Sequence, residues 1–164
     1  SFDDFSDQLI KLIDELNFQK IHLVGFSIGS LIARNFATKF NDRLQSLVLL
    51  GSIYKRTEQQ QKIVNERFNQ AKRDLKLSKL ALKRWFTDKY LENNPDTYDK
   101  ISSILSSNNM ANFIKVYELF VNHKNDEDFE KITVNTLITT GENDIGSTIE
   151  MSQELNKIIK NSQL

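Results

Sequence analysis

The sequence predicts an α/β fold: three parallel strands with flanking helices, and an all-helical insertion between the second and third strands. Three observations predict it. Three short apolar runs, Ile21–Val24, Leu44–Leu50 and Val134–Thr140, are each followed by a glycine and then by residues at helical spacing. No strand pattern occurs between Thr57 and about Asp128, where apolar residues recur three and four apart. All five glycines, Gly25, Gly29, Gly51, Gly141 and Gly146, fall at the carboxyl end of one of these runs. Open parallel sheets bind ligands along that edge, where loops turn sharply and backbone must approach a ligand closely.

The chain opens on an amphipathic helix. Phe2, Phe5, Leu9, Leu12, Ile13 and Leu16 share one face, and Asp3, Asp4, Asp7 and Lys11 occupy the other. Ser1 with Asp4 reads as a capping box, and Asn17 suits the exit. The first strand follows, then a helix from Ile28 to about Lys39 carrying Leu31, Ile32, Phe36 and Phe40, broken by Asn41-Asp42. The second strand is an unalternating apolar run, the pattern of a parallel strand covered on both faces. A strand, helix, strand order of this length makes a right-handed crossover. After the third strand, Thr148 or Ser147 caps a last helix bearing Ile149, Met151, Leu155, Ile158 and Ile159.

These elements divide the chain into a first part of an α/β core (1–56), a helical lid (57–130) and a second part of the core (131–164). Ile63, Phe68, Leu75, Leu77, Leu80 and Leu82 mark the first lid helices, and Asn94-Pro95 starts another. Met110, Phe113, Ile114, Tyr117, Phe120 and Val121 mark a last one. An insertion at this point is expected to lie over the strand ends. Lys72, Arg73, Lys76, Lys79, Lys83 and Arg84 read first as a solvated helix face, though they could draw an anionic substrate.

Chemistry concentrates at Gly25-Phe26-Ser27-Ile28-Gly29, where strand period gives way to helix period. A turn this sharp crowds the backbone two residues either side of its apex, and the two glycines are expected to remove the colliding Cβ atoms. The Ser27 hydroxyl is left projecting as a nucleophile, and the Ile28 N–H, first of the helix amides, is placed for an oxyanion hole. The motif alone arises by chance in roughly one chain in twenty of this length. Its flanking strand and helix are what give it weight; the plain alternative is a serine capping a helix.

Composition excludes several other classes. Across 164 residues, 22 basic side chains balance 22 acidic ones, so no net field points to nucleic acid or an anionic membrane. The chain holds no cysteine, which removes disulfide scaffolds and zinc–thiolate sites and suits a reducing, cytoplasmic setting. The longest apolar run, Leu47–Leu50, is far too short to span a bilayer. No cofactor or metal is expected, and the sequence leaves oligomeric state open.

A serine hydroxyl needs an imidazole to take its proton and a carboxylate to orient that imidazole. Asp144, in the loop after the third strand, is the candidate acid, with Glu142 as rival and a purely structural turn aspartate as the plain alternative. The two histidines fit poorly. His22 lies inside the first strand, where it should face a covering layer, and His123 ends the last lid helix upstream of Asp144.

Taken together, Gly25-Phe26-Ser27-Ile28-Gly29 and Thr140-Gly141-Glu142-Asn143-Asp144 resemble the nucleophile elbow and acid loop of the α/β-hydrolase superfamily, so the expected fold is a partial α/β-hydrolase fold. Arg84-Trp85-Phe86-Thr87, Gly146-Ser147-Thr148 and Met151 resemble its 3-oxoadipate enol-lactonase-like branch. Ser30 stands where a second glycine is common, and Asn41 and Asn135 replace prolines often found there. The resemblance implies a fragment lacking the N-terminal strands with their oxyanion loop and the C-terminal segment with the catalytic histidine. Residues 1–164 in isolation are therefore expected to show no useful turnover.

The resemblance implies a serine hydrolase of small carboxylic esters or lactones. Ser27 would attack the carbonyl, a histidine beyond Leu164 would act as base and then acid, Asp144 would orient it, and Ile28 N–H would give half the oxyanion hole. Trp85 is expected to shape the acyl pocket. The partner is then a small-molecule ester or lactone, with no nucleic acid and no membrane. The alternatives are a non-catalytic hydrolase-like binding module, or a carbon–carbon bond hydrolase or perhydrolase on the same scaffold.

Overall fold

The computed structural model describes residues 1–73 and 78–164. The expectations placed on Leu75, Lys76 and Leu77, and on the side chains of Lys79 and Leu80, lie outside the described residues. The described chain forms two compact units, residues 1–55 with 124–164, and residues 56–123.

The first unit is a four-stranded parallel sheet with helices. Helix α1 (Phe2–Glu15) starts on the Ser1–Asp4 capping box, and Asn17 leaves it at φ 58. Strand β1 (Ile21–Phe26) leads through Ser27 into α2 (Ile28–Lys39), and β2 (Leu44–Leu50) follows a single 3-10 turn. After the second unit come β3 (Thr136–Thr139), α8 (Ile149–Ile158, capped by the Thr148 hydroxyl) and β4 (Ser162–Gln163). The strands lie in the order β1-β2-β3-β4, all parallel. The sequence accounts for three of them. The fourth is two residues long, too short to carry a periodicity.

Pairing sets the faces. Val24, Val48 and Leu137 form one cross-sheet row and Phe26, Leu50 and Thr139 another, on the same side. The alternate rows, with Leu47, Leu49 and Ile138, are buried, α2 packing on β1 and β2 and α8 on β3. The expectation of cover on both faces is corrected here: Val24 is 58% and Phe26 70% exposed. An unalternating run records that both faces of β2 are apolar, not that both are covered within these residues. His22 is corrected with them. It stands exposed on that open face, its Nδ1 2.6 Å from the Ser46 hydroxyl.

Helix α1 docks on α2 rather than on the sheet. Its buried Ser6 donates to Asn35 at 2.6 Å, and the Asn35 amide donates to Asp3 at 3.0 Å. Asn41, in a proline's usual place, accepts from the backbone of Thr133 at 2.9 Å and Val134 at 3.2 Å, tying the entry to β3 to the turn before β2.

The second unit is helical: α3 (Glu58–Arg73), α4 (Ser78–Trp85), α5 (Asp88–Asn93), α6 (Asp96–Ser106) and α7 (Met110–Val121). Val64, Phe68 and Val121 form its core, with Ile114, Tyr117 and Phe120 against them. Arg56 donates to the carbonyls of Phe120 and Val121, which closes the carboxyl end of α7. Burial holds its guanidinium down to about 10. Residues 124–130, grouped with the helical segment on sequence, pack instead with the sheet unit, because Glu127 and Phe129 close on Arg34. Among the described residues no helix is long and apolar enough to cross a membrane.

Candidate functional site

Ser27 sits at the junction the sequence picks out, with φ 54 and ψ −121, a combination that L residues other than glycine rarely adopt. Its amide donates to Leu50 O at 3.0 Å, and its carbonyl accepts from the Ser30 amide and from the Ser30 hydroxyl at 2.5 Å. The side chain makes no capping bond to α2, so the plain reading of Ser27 as an ordinary N-cap loses its support. Ile28 is the first helical residue, where amides have no partner inside the helix. Ser30, in place of a second glycine, is fully buried and braces the turn.

Only one of the two motif glycines removes a collision. A Cβ on Gly25 would stand 2.4 Å from Gly29 O and 2.8 Å from the Ala33 Cβ, far inside contact distance. A Cβ on Gly29 would meet nothing within 4 Å. The expected crowding at Gly29 is therefore corrected: its carbonyl is what Gly25 must admit, while its own Cβ position faces open space.

Asp144 lies at the carboxyl end of β3, on the same rim as Ser27, because β1, β2 and β3 run parallel. Its Oδ1 accepts from the amides of Gly146 at 2.8 Å and Ser147 at 2.9 Å, fixing the carboxylate in a turn. Oδ2 faces Gly51, 3.8 Å from where a Cβ would be. The turn is thus held through Oδ1, and Oδ2 is the oxygen turned toward Gly51. Glu142, the rival, is exposed in the same loop.

Between these two groups runs the end of β2. Gly51, at φ 55, donates to Thr139 O at 2.9 Å and accepts from the buried Ser147 hydroxyl at 2.8 Å. Its Cβ position lies 3.6 Å from the Phe26 ring and 3.7 Å from the Ser147 hydroxyl. Strands about 4.8 Å apart separate the ends of β1 and β3 by about 10 Å, room for one imidazole hydrogen-bonded at both nitrogens. His22 is not that imidazole, being five residues, about 16 Å of strand, back from Ser27.

Trp85 belongs to the helical unit, where it ends α4 and is 56% exposed. Of the basic residues nearby, Lys72, Arg73 and Lys83 are exposed, and Lys72 lies 4.0 Å over the Phe68 ring. His123 ends the same unit.

Over residues 1–164 the chain matches the family described as the alpha/beta hydrolase fold. The chain belongs to that family. Within it, the α/β-hydrolase chain is 28% identical over 156 residues to the (E)-2-((N-methylformamido)methylene)succinate hydrolase of Acinetobacter baylyi, covering 93% of this chain and 58% of that protein. It is 22% identical to 3-oxoadipate enol-lactonase 2 of the same organism, covering 99% and 61%. The enol-lactonase structure from Burkholderia xenovorans LB400 superposes with TM-score 0.89 at 20% identity, over 99% of this chain and 63% of that one. An esterase from Exiguobacterium antarcticum gives 0.88 at 18%, over 100% and 64%. The chain spans about three fifths of the length of the curated relatives it matches.

Two contacts beside the candidate site went unread in the sequence, which marked Ser147 only as a helix cap or family-like residue and did not single out Arg34. Ser147 bridges the acid loop to Gly51, and Arg34, fully buried on α2, bonds the segment after β2. Arg34 had a signal: it lies three residues from Leu31 and Ala37, on the buried stripe.

Proposed function

We propose that this chain carries the nucleophile and the acid of a serine hydrolase acting on small carboxylic esters or lactones. The observation that carries the reading is Ser27 held at φ 54 and ψ −121 between β1 and α2, on the rim that also bears Asp144. Ser27 Oγ attacks the acyl carbon, an imidazole takes its proton and returns it to the leaving oxygen, and Asp144 Oδ2 orients that imidazole. The Ile28 amide, at the positive end of α2, supports the developing oxyanion. The base is a histidine from outside residues 1–164. Strand β4 supports this placement, since Ser162–Gln163 runs parallel beside β3 and points the chain toward the Asp144 rim.

Relatives named as an enol-lactonase and as a hydrolase of a substituted succinate favour a small acyl substrate. A fluorophosphonate probe applied to the full-length protein tests the reading. Labelling is expected at Ser27 and absent in Ser27→Ala. Folded protein that binds small esters but takes no label is instead a binding module.

A further inference from the structure

The chain leaves the sheet unit after Lys55 and returns at Lys124. Left-handed, non-glycine backbone marks both places, Lys55 at φ 44 and Asn125 at φ 54. Among the described residues only Asn17, at a helix exit, and Ser27 share that feature. A lysine holds such a conformation only where its surroundings impose it.

One side chain reaches both places. Arg34, at 0% exposure, stands seven residues after Ser27, two turns along α2. Its Nη1 donates to Ile53 O at 2.7 Å and lies 3.3 Å from the Ser52 hydroxyl. Its Nη2 lies 2.7 Å from the Glu127 carboxylate and 3.5 Å from Asn125 Oδ1. The guanidinium carbon is 5.0 Å from the Phe129 ring and 5.9 Å from the Tyr54 ring, which meet edge to face. Outgoing residues 52–54 and incoming residues 125–129 thus close on a single cation. Burial pushes that cation toward its neutral form, and Glu127 opposes the push.

Ser52 and Ile53 also continue the segment that crosses the candidate site. Leu50 O takes the Ser27 amide, Gly51 N–H goes to Thr139 O, and Gly51 O takes the Ser147 hydroxyl. We infer that Arg34 is a positioning residue, which pins the chain's departure from and return to the sheet unit onto the nucleophile helix and so holds the Leu50–Gly51 bridge between Ser27 and the Asp144 loop. Its effect on reaction rate rests on the hydrolase reading above; the pinning does not.

A buried pair that only stabilises can be replaced by apolar side chains without loss, whereas bonds to Ile53 O and Asn125 cannot. The test is therefore Arg34→Met/Glu127→Met in the full-length protein, with Arg34→Lys as the milder variant that keeps the charge but loses the fork. Hydrogen exchange at residues 51–57 and 122–127 is measured against that of β1 and β2, together with the rate of Ser27 labelling by a fluorophosphonate. At an unchanged denaturation midpoint, exchange at both junctions is expected to rise about tenfold or more while the strands stay as in wild type, and labelling to slow about tenfold. Arg34→Lys is expected to shift junction exchange in the same direction by a smaller factor. Junction exchange within about twofold of wild type in both variants overturns the pinning. Loosened junctions with an unchanged labelling rate overturn the link to Ser27. Wild-type protein that takes no label overturns the hydrolase reading instead, and leaves the exchange measurement to decide the pinning.

Discussion

Gly25→Ala against Gly29→Ala is the sharpest test of the elbow geometry. The Gly25 methyl would stand 2.4 Å from Gly29 O, 2.7 Å from Gly29 C and 2.8 Å from the Ala33 Cβ. Carbon and oxygen need about 3.3 Å, so β1 and the first turn of α2 must part by about 0.9 Å. No side-chain rotation relieves the clash, because two of the three obstacles are backbone and the third is a Cβ. Overpacking of this kind costs about 1–3 kcal/mol, and rigid obstacles put this site at about 3 kcal/mol. Domains have only about 5–15 kcal/mol in hand. With an m-value of about 2 kcal/mol/M, the urea midpoint should fall by about 1.5 M. Gly29→Ala meets nothing within 4 Å and replaces a helical glycine, so it should raise stability by up to about 1 kcal/mol. Urea unfolding followed by circular dichroism at 222 nm reads both. A Gly25→Ala midpoint within about 0.5 M of wild type, or a Gly29→Ala protein as weak as Gly25→Ala, would refute the reasoning.

Three further outcomes are expected. Ser27→Gly should lose all probe labelling yet gain about 1 kcal/mol, since a glycine accepts φ 54 and ψ −121 without strain; equal or lower stability would show that the turn stores none. Asp144→Asn keeps an acceptor for the Gly146 and Ser147 amides and should unfold within about 0.5 kcal/mol of wild type, while Asp144→Ala should lose about 1–2 kcal/mol. On the proposed function both should lower kcat of the full-length protein at least about 100-fold, and a fully active Asn variant would transfer the acid role elsewhere. The third concerns acid. Hydrogen bonds from Asn35 and Lys39 hold the Asp3 carboxyl below its ordinary 3.8, so its contribution to α1 docking is present above that value and lost as pH falls through the lower folded one. Lys39, raised above 10.5, stays charged throughout this window. Exchange of α1 amides should therefore accelerate below about pH 4 in wild type, and Asp3→Asn should weaken that dependence, leaving the part carried by the Asp4 carboxyl of the capping box, which is likewise held low.

Local chemistry is what the sequence made legible. Strand β2 begins and ends at the residues its apolar run marks, Ser1 and Thr148 cap the helices they precede, and Ser27 sits where period 2 changes to period 3.6. Each depends on neighbours within a few residues. What stayed hidden depends on distant ones. Whether Val24 and Phe26 are covered is decided by which helices lie on which side of the sheet, and no pattern inside β1 records that. Ser162–Gln163 becomes a strand only because β3 offers an edge. Gly29 and Gly25 look equivalent in the motif, yet a helical Cβ points away from the contact and a strand Cβ points into it. Arg34 bonds residues 19 and 93 positions away, and its place on the buried stripe was the only trace.

The middle strand explains why the site takes this form. Ser27 and Asp144 follow β1 and β3, so every adjustment between them passes through the end of β2. That end is Gly51 at φ 55, flanked by the Phe26 ring, the Ser147 hydroxyl and Asp144 Oδ2, and a larger residue would meet both strain and ordinary contact on three sides. Its two peptide groups are spent on Thr139 and Ser147, and the carbonyl before it on Ser27. A segment so fully bonded cannot itself supply a reacting group. It works as a spacer of fixed width, which sets how far apart the ends of β1 and β3 stand. The strain at Ser27 then has a physical counterpart: the elbow can be held in a poor conformation because Leu50 O on one side and Ser30 on the other leave it no better one.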